Sequence, residues 1–513
     1  MKSISIATCL VVALVQVVGA RPASVRLTNT TVTEFRTDNE NLDPRDDNYG
    51  SVINRLNLNG NSGPIATSLR LDSMFFWDTD QPWHENDARV ERLKVQYRLS
   101  DWTIKVGDIY RQLGRGIVLN LRKVDEAGLD VLLRGGEVAY SSNRQAAGVF
   151  AGRANIVNID ILNQRFVEDP EDILAGGWYA LRNLKLGSLR TTLGTHYLYR
   201  KNQASSALSE MDDGSSNLGA YIEFPALGDY GSLYLEADIQ QTREFDQVTE
   251  GKAAYGAVDF FIGDTSLVVE AIYLDQFRQY GSVNRYDEPV RYNQAPTLDR
   301  IDQETSKGEN EYAARIRLEQ SFLDGDFVVY VNGMYKIIDP DDLSEVTQVH
   351  GYSGLKGEFD SGRSRYALSG GYRDENATGG PTTRDIKDMY HAEIDYIQFI
   401  TNGYSLQLAA FYEFRTLEGT SYERGSSFFG IQKAGLGSVT FEHGLDNQDT
   451  RDGARQQFYA GILSWNATES MIIKSTVGSQ RGGLKCVGGV CRIYPSFSGY
   501  QLSVLMNHDL GGM

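Results

Sequence analysis

The chain has 513 residues, with 50 Lys and Arg against 68 Asp and Glu for a net charge of −18. So acidic a balance excludes nucleic acid as the natural partner, because phosphate binding needs a basic face. The 29 Tyr, 21 Phe and 5 Trp exclude disorder, and 52 Gly beside only 11 Pro suit long strands with tight turns.

The chain opens like an export leader. Lys2 is followed by an apolar run from Ile4 to Val18, broken only by Ser5, Thr8, Cys9 and Gln16. Val18-Gly19-Ala20 then supplies small residues for cleavage after Ala20. The run is shorter than the roughly 20 residues of a membrane span, and the apolar stretch before Cys9 is too short for a lipoprotein leader. Residues 1–20 are therefore read as a signal peptide and 21–513 as one domain. Without Lys2 the mature chain carries 49 basic and 68 acidic residues, a net −19.

Beyond the leader the dominant signal is alternation with a period of two. A first hairpin is expected around 25–36 and 49–58. Leu93, Val95, Tyr97 and Leu99 alternate with Arg92, Lys94, Gln96 and Arg98. Leu233, Leu235, Ala237 and Ile239 alternate with Tyr234, Glu236, Asp238 and Gln240. Val329, Val331, Gly333, Tyr335 and Ile337 share a face, and Tyr390, Ala392, Ile394 and Tyr396 alternate with His391, Glu393, Asp395 and Ile397. From Tyr404 to Arg415, Leu406, Leu408, Ala410, Tyr412 and Phe414 follow Tyr404 on an apolar face, while the other face carries Glu413 and Arg415. A dry sandwich core would not tolerate such charge unpaired, whereas a barrel wall between lipid and water requires two such faces.

The connections alternate too. Short turns are expected at 100–101, 186–187, 227–228, 263–264, 323–325, 361–362, 401–403, 435 and 466–467, with polar stretches between them at 168–175, 201–217, 281–310, 340–349, 374–387 and 446–453. Outer-membrane barrels have this arrangement, with tight periplasmic turns and long outer loops. The fold expected is an all-β, transmembrane, antiparallel up-and-down barrel of about 24 strands, with roughly 20 to 26 as the range. Residues 121–161 divide into strands in two ways. Trp77, Trp102, Trp178 and Trp465 are placed in the aromatic girdles. Near the end, Ser498-Gly499-Tyr500-Gln501-Leu502-Ser503-Val504 resembles the C-terminal strand that barrel-assembly machinery recognises, although the chain ends Leu510-Gly511-Gly512-Met513 without a terminal aromatic.

Cys486 and Cys491 are the only mature cysteines, spaced Cys-Val-Gly-Gly-Val-Cys, and in an oxidising compartment are expected to bond to each other.

One stretch is distinctive: Val106-Gly107-Asp108-Ile109-Tyr110-Arg111-Gln112-Leu113-Gly114-Arg115-Gly116-Ile117-Val118-Leu119, followed by Leu121-Arg122-Lys123-Val124-Asp125-Glu126 and Leu133-Arg134-Gly135-Gly136. With Asn54-Arg55-Leu56 and the Gly482-Gly483…Cys486…Cys491 segment, it resembles a family of Gram-negative outer-membrane barrel proteins of unknown function. The resemblance implies a fold and a location, and no substrate or catalytic residue.

Residues 89–153 hold 12 Lys and Arg against 7 Asp and Glu, a local excess of five positive charges. Arg92, Lys94 and Arg98 are read as one lumen face. Arg111 and Arg115 bracket a glycine bend able to fold inward. One reading is a basic patch opposing Glu236, Asp238, Glu393 and Asp395 across a pore, as charge rings in channels do. The other is that these charges pair among themselves and hold lumen and loops together.

No nucleophile elbow, zinc-protease helix, P-loop or dinucleotide fingerprint is present. The six histidines stand singly, and His391 beside Glu393 lacks a nucleophile. The acidic loops at Asp212-Asp213, Asp339 to Asp342, and Asp446, Asp449 and Asp452 do not keep calcium-loop spacing. The chain is read as a non-enzyme without cofactor or metal. Its expected surroundings are outer-membrane lipid and lipopolysaccharide, with the assembly machinery at its last strand. A porin-like channel with a loop-constricted, charged lumen is the first expectation. A plugged barrel anchoring an envelope complex, or a homo-oligomer, is the alternative.

Overall fold

The computed structural model describes residues 23–510 apart from 39, 41–43, 45–46, 125–128, 161–163, 203–213, 245–246, 279, 284–288, 297, 299–309, 341, 343, 379–383, 449–453 and 488–489. The leader expected at 1–20 lies outside the described residues. Twenty-four strands form one antiparallel sheet, each hydrogen-bonded to the next barrel strand in the chain. The last, Phe497–Leu510, pairs with the first, Ala23–Arg36, from Gly499 opposite Arg36 to Leu510 opposite Val25. The sheet thus closes on itself and keeps no free edge. This is the up-and-down transmembrane barrel that the alternation predicts.

Its burial is the reverse of a soluble protein's. On Tyr404–Leu417 the residues most exposed are Tyr404, Leu408 and Phe414, while Glu413 and Arg415 are buried. On Phe327–Ile338 the exposed side chains are Val331 and Tyr335, and the buried ones include Asn332 and Lys336. Apolar side chains outside and charges inside are stable only where lipid meets the outer wall. Exposed aromatics mark both rims. Phe35, Trp77, Tyr199 and Phe414 lie toward the long loops, and Trp102, Phe322, Tyr404 and Trp465 toward the short turns.

The turns fall as the sequence suggests at eight of these sites. Asn402 and Gly403, with φ of 51° and 76°, supply the left-handed geometry that a two-residue hairpin demands. The ninth differs. Gln457–Thr468 runs through Asn466 and Ala467, because an irregularity in register between Asn466 and Thr468 absorbs the extra residue and moves the turn beyond Thr468. Several polar stretches read as loops are partly strand. Ser364–Ala377 and Arg384–Thr401 consume most of 374–387, and the latter's 18 residues reach well past the roughly 9–11 that cross a bilayer.

Two local corrections alter the inner wall. In Asp87–Leu99, Arg92 pairs with Arg70 and Val90 with Leu71, which leaves Glu91 as a bulge. Glu91 and Arg92 are consequently both buried, so strict alternation fails there. Trp178 is not in a girdle. On Ile173–Leu186 the exposed residues include Ile173 and Tyr179, and Trp178 faces the other way, against Phe150 and the internal core. The described residues of 121–161 form one barrel hairpin, Leu132–Ser141 with Gln145–Asn155, preceded by buried residues such as Leu121, Val124 and Asp130.

That interior holds an apolar core. Leu113, Ile117, Leu119 and Leu121 are at most 2% exposed. They cluster with Ile156, Val167, Val290, Tyr292 and Leu298 and with inward wall residues such as Leu174, Leu198, Tyr255, Leu274 and Met334. Burying four such aliphatic side chains contributes roughly 6–12 kcal/mol as an upper bound.

Candidate functional site: the lumen and its inward-folded segments

Described residues of three loop-end segments, within 110–131, 156–172 and 276–298, meet inside the barrel. Asn120 donates its amide to the Tyr292 carbonyl at 2.7 Å, Gln294 donates to Gly116 at 2.9 Å, and the Asn293 side chain donates to Ile117 at 2.9 Å. Asp172 accepts from the Tyr292 hydroxyl at 2.7 Å and from the Ser282 amide at 2.9 Å. Burial and Asp172 hold the Tyr292 hydroxyl far above its ordinary pKa, so it stays a donor. Burial likewise raises Asp169, which nevertheless accepts from the Ile156 amide at 2.9 Å.

The first segment is fastened to the wall by charge. Asp130, 3% exposed, lies 2.9 Å from Arg70 and 3.2 Å from Arg92, and accepts from the Tyr110 hydroxyl at 2.5 Å. Arg92 also meets Glu91 at 2.9 Å, and Arg134 meets Asp108 at 3.0 Å. Arg111 spreads over the Trp178 ring, 3.2 Å from its centroid, and lies 3.7 Å from Glu137. Burial lowers the Arg111 pKa, partly offset by Glu137. Arg115 stacks on Tyr234 and approaches Glu223 at 3.8 Å, while its amide donates to Glu236 at 2.8 Å. Gly114, with φ of 50°, permits this approach, since a Cβ there would stand 1.9 Å from Glu236 Oε1.

The sequence-derived residues therefore separate into three groups. Arg92, Arg111 and Arg115 bind the inward segment to the wall, with Glu236 as one of its anchors. Lys94 and Arg98 lie apart from them, lining with Asn59, Asn61 and Gln96 a cleft of about 300 Å³ near the short turns. His391, Glu393 and Asp395 belong to the far wall. There His391 Nε2 lies 3.1 Å from His350 Nε2, and its Nδ1 lies 3.5 Å from Glu393. The His350 contact was missed, because three strands must be in register before residues 41 positions apart can meet across Ser364–Ala377.

The apolar core leans on one side only. Its wall residues come from Leu132–Ser141 through Phe327–Ile338, and none from Val346–Phe359 onward is among its described members. On the uncovered side Lys356 and Asp395, each opposite Ala367 in register, face inward and are exposed, as is Arg365. Lys356 still lies 4.0 Å from Glu319. Further described inward charges there are paired more closely: Arg415 with Glu413 at 2.6 Å, Arg424 with Asp446 at 2.8 Å, and Arg373 with Glu375.

One group of side chains in the wall has donor atoms close enough to share a metal ion. His196, Glu236 and Asp238 are all buried, with ligand atoms within 4.8 Å of one another. Single-residue reading of the sequence gave no sign of His196.

A family of unknown function (DUF6029) matches residues 431–508. No curated protein matches. Among solved structures the chain is similar to the siderophore receptor PirA from Pseudomonas aeruginosa, at 10% identity and a TM-score of 0.47, covering 94% of this chain and 80% of that one. It is also similar to the P pilus usher (PapC) translocation pore, at 9% identity and TM-score 0.42, covering 94% and 99%. A BenF-like porin from Pseudomonas fluorescens Pf-5 gives 12% identity and TM-score 0.41, covering 76% and 98%. Such loose overlaps carry no substrate across.

Proposed function

We propose that this chain is a non-enzymatic outer-membrane channel for small polar solutes, narrowed by its own inward-folded segments. The observation that carries the reading is the bare side of the lumen, where Lys356, Arg365 and Asp395 point inward and stay exposed while the core covers the opposite wall. Exposed charge on an inner face is stable only beside water. Both signs stand together there, so selectivity is weak. Stepwise conductance of purified protein in planar bilayers tests this; a barrel that inserts and stays silent refutes it.

The buried core favours a second reading, an anchor for an envelope complex with a closed lumen. Crosslinking in whole cells that recovers no stable partner would count against it. On either reading lipid and lipopolysaccharide surround the wall, the last strand meets the assembly machinery, and the long loops face outward. The hairpin Gly483–Val487 with Val490–Tyr494 sets Cys486 opposite Cys491 in register, which supports a disulfide across it.

A further inference from the structure

We propose that His196, Glu236 and Asp238 bind one divalent transition-metal ion, of which Zn²⁺ is the representative. The three side chains stand on Leu189–Lys201 and Gly231–Glu244, which are not neighbours: Gly214–Ala226 lies between them. Gly219 is the residue opposite both His196 and Asp238 in register. A Cβ at Gly219 would stand 1.9 Å from Asp238 Oδ1 and 2.3 Å from His196 Nε2. The glycine leaves a gap in the middle strand through which these two side chains meet, with His196 Nε2 2.8 Å from Asp238 Oδ1 and 3.8 Å from Glu236 Oε1.

The donors point to a metal because hydrogen bonding leaves them incomplete. Glu236 Oε1 and Asp238 Oδ2 are buried without a hydrogen-bond partner, His196 presents Nε2 to both carboxylates, and all three side chains are at most 1% exposed. Glu236 Oε2 is already satisfied by the Tyr234 hydroxyl at 2.5 Å and the Arg115 amide at 2.8 Å, which fixes the carboxylate and turns its free oxygen toward the histidine. Two buried carboxylates beside one imidazole, when ionised, carry a charge that a divalent cation would cancel. One nitrogen and two carboxylate oxygens suit zinc, with water completing a tetrahedron; calcium prefers six or more oxygens. An ion there would lock the wall to the Gly114–Arg115 tip through Glu236.

The test uses the full mature chain folded in detergent, stripped with chelator and dialysed. Elemental analysis after ZnCl₂ addition and desalting should find about one zinc per chain, as a three-ligand site predicts. CaCl₂ in its place should leave no retained ion. Asp238→Asn and Gly219→Ala should each weaken zinc affinity by about tenfold or more while the barrel still shifts on boiling in gels. Should either variant fail to fold, cobalt(II) added to the wild-type chain provides a second readout, giving the intense visible bands of a tetrahedral nitrogen–oxygen site that excess zinc abolishes. A folded wild-type chain that retains no zinc and shows no such bands overturns the assignment, as do folded variants that bind equally well. Bilayer conductance does not enter this test, so its failure and that of the channel reading are distinguishable.

Discussion

Gly114→Ala is the perturbation that most directly probes the inward segment. The new methyl group would enter the space of Glu236 Oε1, and alanine at φ of 50° costs about 1 kcal/mol in backbone conformation. Relieving the clash lifts the tip and breaks the charge-assisted bond from the Arg115 amide to Glu236, a further 1.5–3 kcal/mol or so. The sum, roughly 2.5–4 kcal/mol, is smaller than the roughly 6–12 kcal/mol from burying Leu113, Ile117, Leu119 and Leu121. The segment therefore stays docked while its tip opens about 60- to 700-fold more often, at tenfold for each 1.4 kcal/mol. Hydrogen exchange by mass spectrometry should show the Arg115 amide losing that protection while the Asn120 amide, bonded to Tyr292, keeps most of its own. In bilayers the variant should flicker more at unchanged unit conductance. An Arg115 amide that exchanges as slowly as in the wild type would refute the reasoning.

Leu119→Ala removes a fully buried side chain from the internal core and should cost about 2–5 kcal/mol, read as a lower urea midpoint in detergent. Asp130→Asn leaves Arg70 and Arg92 buried beside a neutral amide; their remaining partners Asp72 and Glu91 limit the loss to about 3 kcal/mol, and a double-mutant cycle with Arg92→Met should recover part of it. His84, stacked on Phe76 at 4.1 Å, is pushed down to about 4 by burial and then by Arg36, from an ordinary value of 6.5. A folded pKa below the unfolded one means that the unfolded chain takes up the proton first, so stability is full above pH 6.5 and falls as pH drops toward 4. Proteolysis of the 78–86 loop should rise across that window in the wild type and not in His84→Gln. Cys486 and Cys491 should resist alkylation until the protein is reduced; labelling of the unreduced chain would exclude the bond.

The wall was legible because a membrane barrel writes its fold into alternate residues. Tyr404 to Phe414 and Leu233 to Ile239 keep lipid on one side and charge on the other, and no tertiary contact disturbs that rhythm. What alternation cannot show is an insertion of one residue, and Glu91 is such an insertion. Trp178 was misplaced because aromatic identity suggests a rim, while strand phase, read from Tyr179, puts it inside. The glycine between Arg111 and Arg115 did signal an inward bend. Its consequence, a buried apolar core, was also within reach, since Leu113, Ile117, Val118, Leu119 and Leu121 crowd a stretch too broken for a membrane strand. The cluster around His196 was out of reach. It depends on a three-strand register and on what Gly219 lacks, and neither is local in sequence.

The closure of Phe497–Leu510 against Ala23–Arg36 also constrains how this chain can change in length. Loss of a single barrel strand would make the two terminal strands run in the same direction, so the ring could no longer seal with antiparallel bonds. Shortening or growth that keeps this antiparallel seam must therefore proceed by whole hairpins, changing the circumference in steps of two.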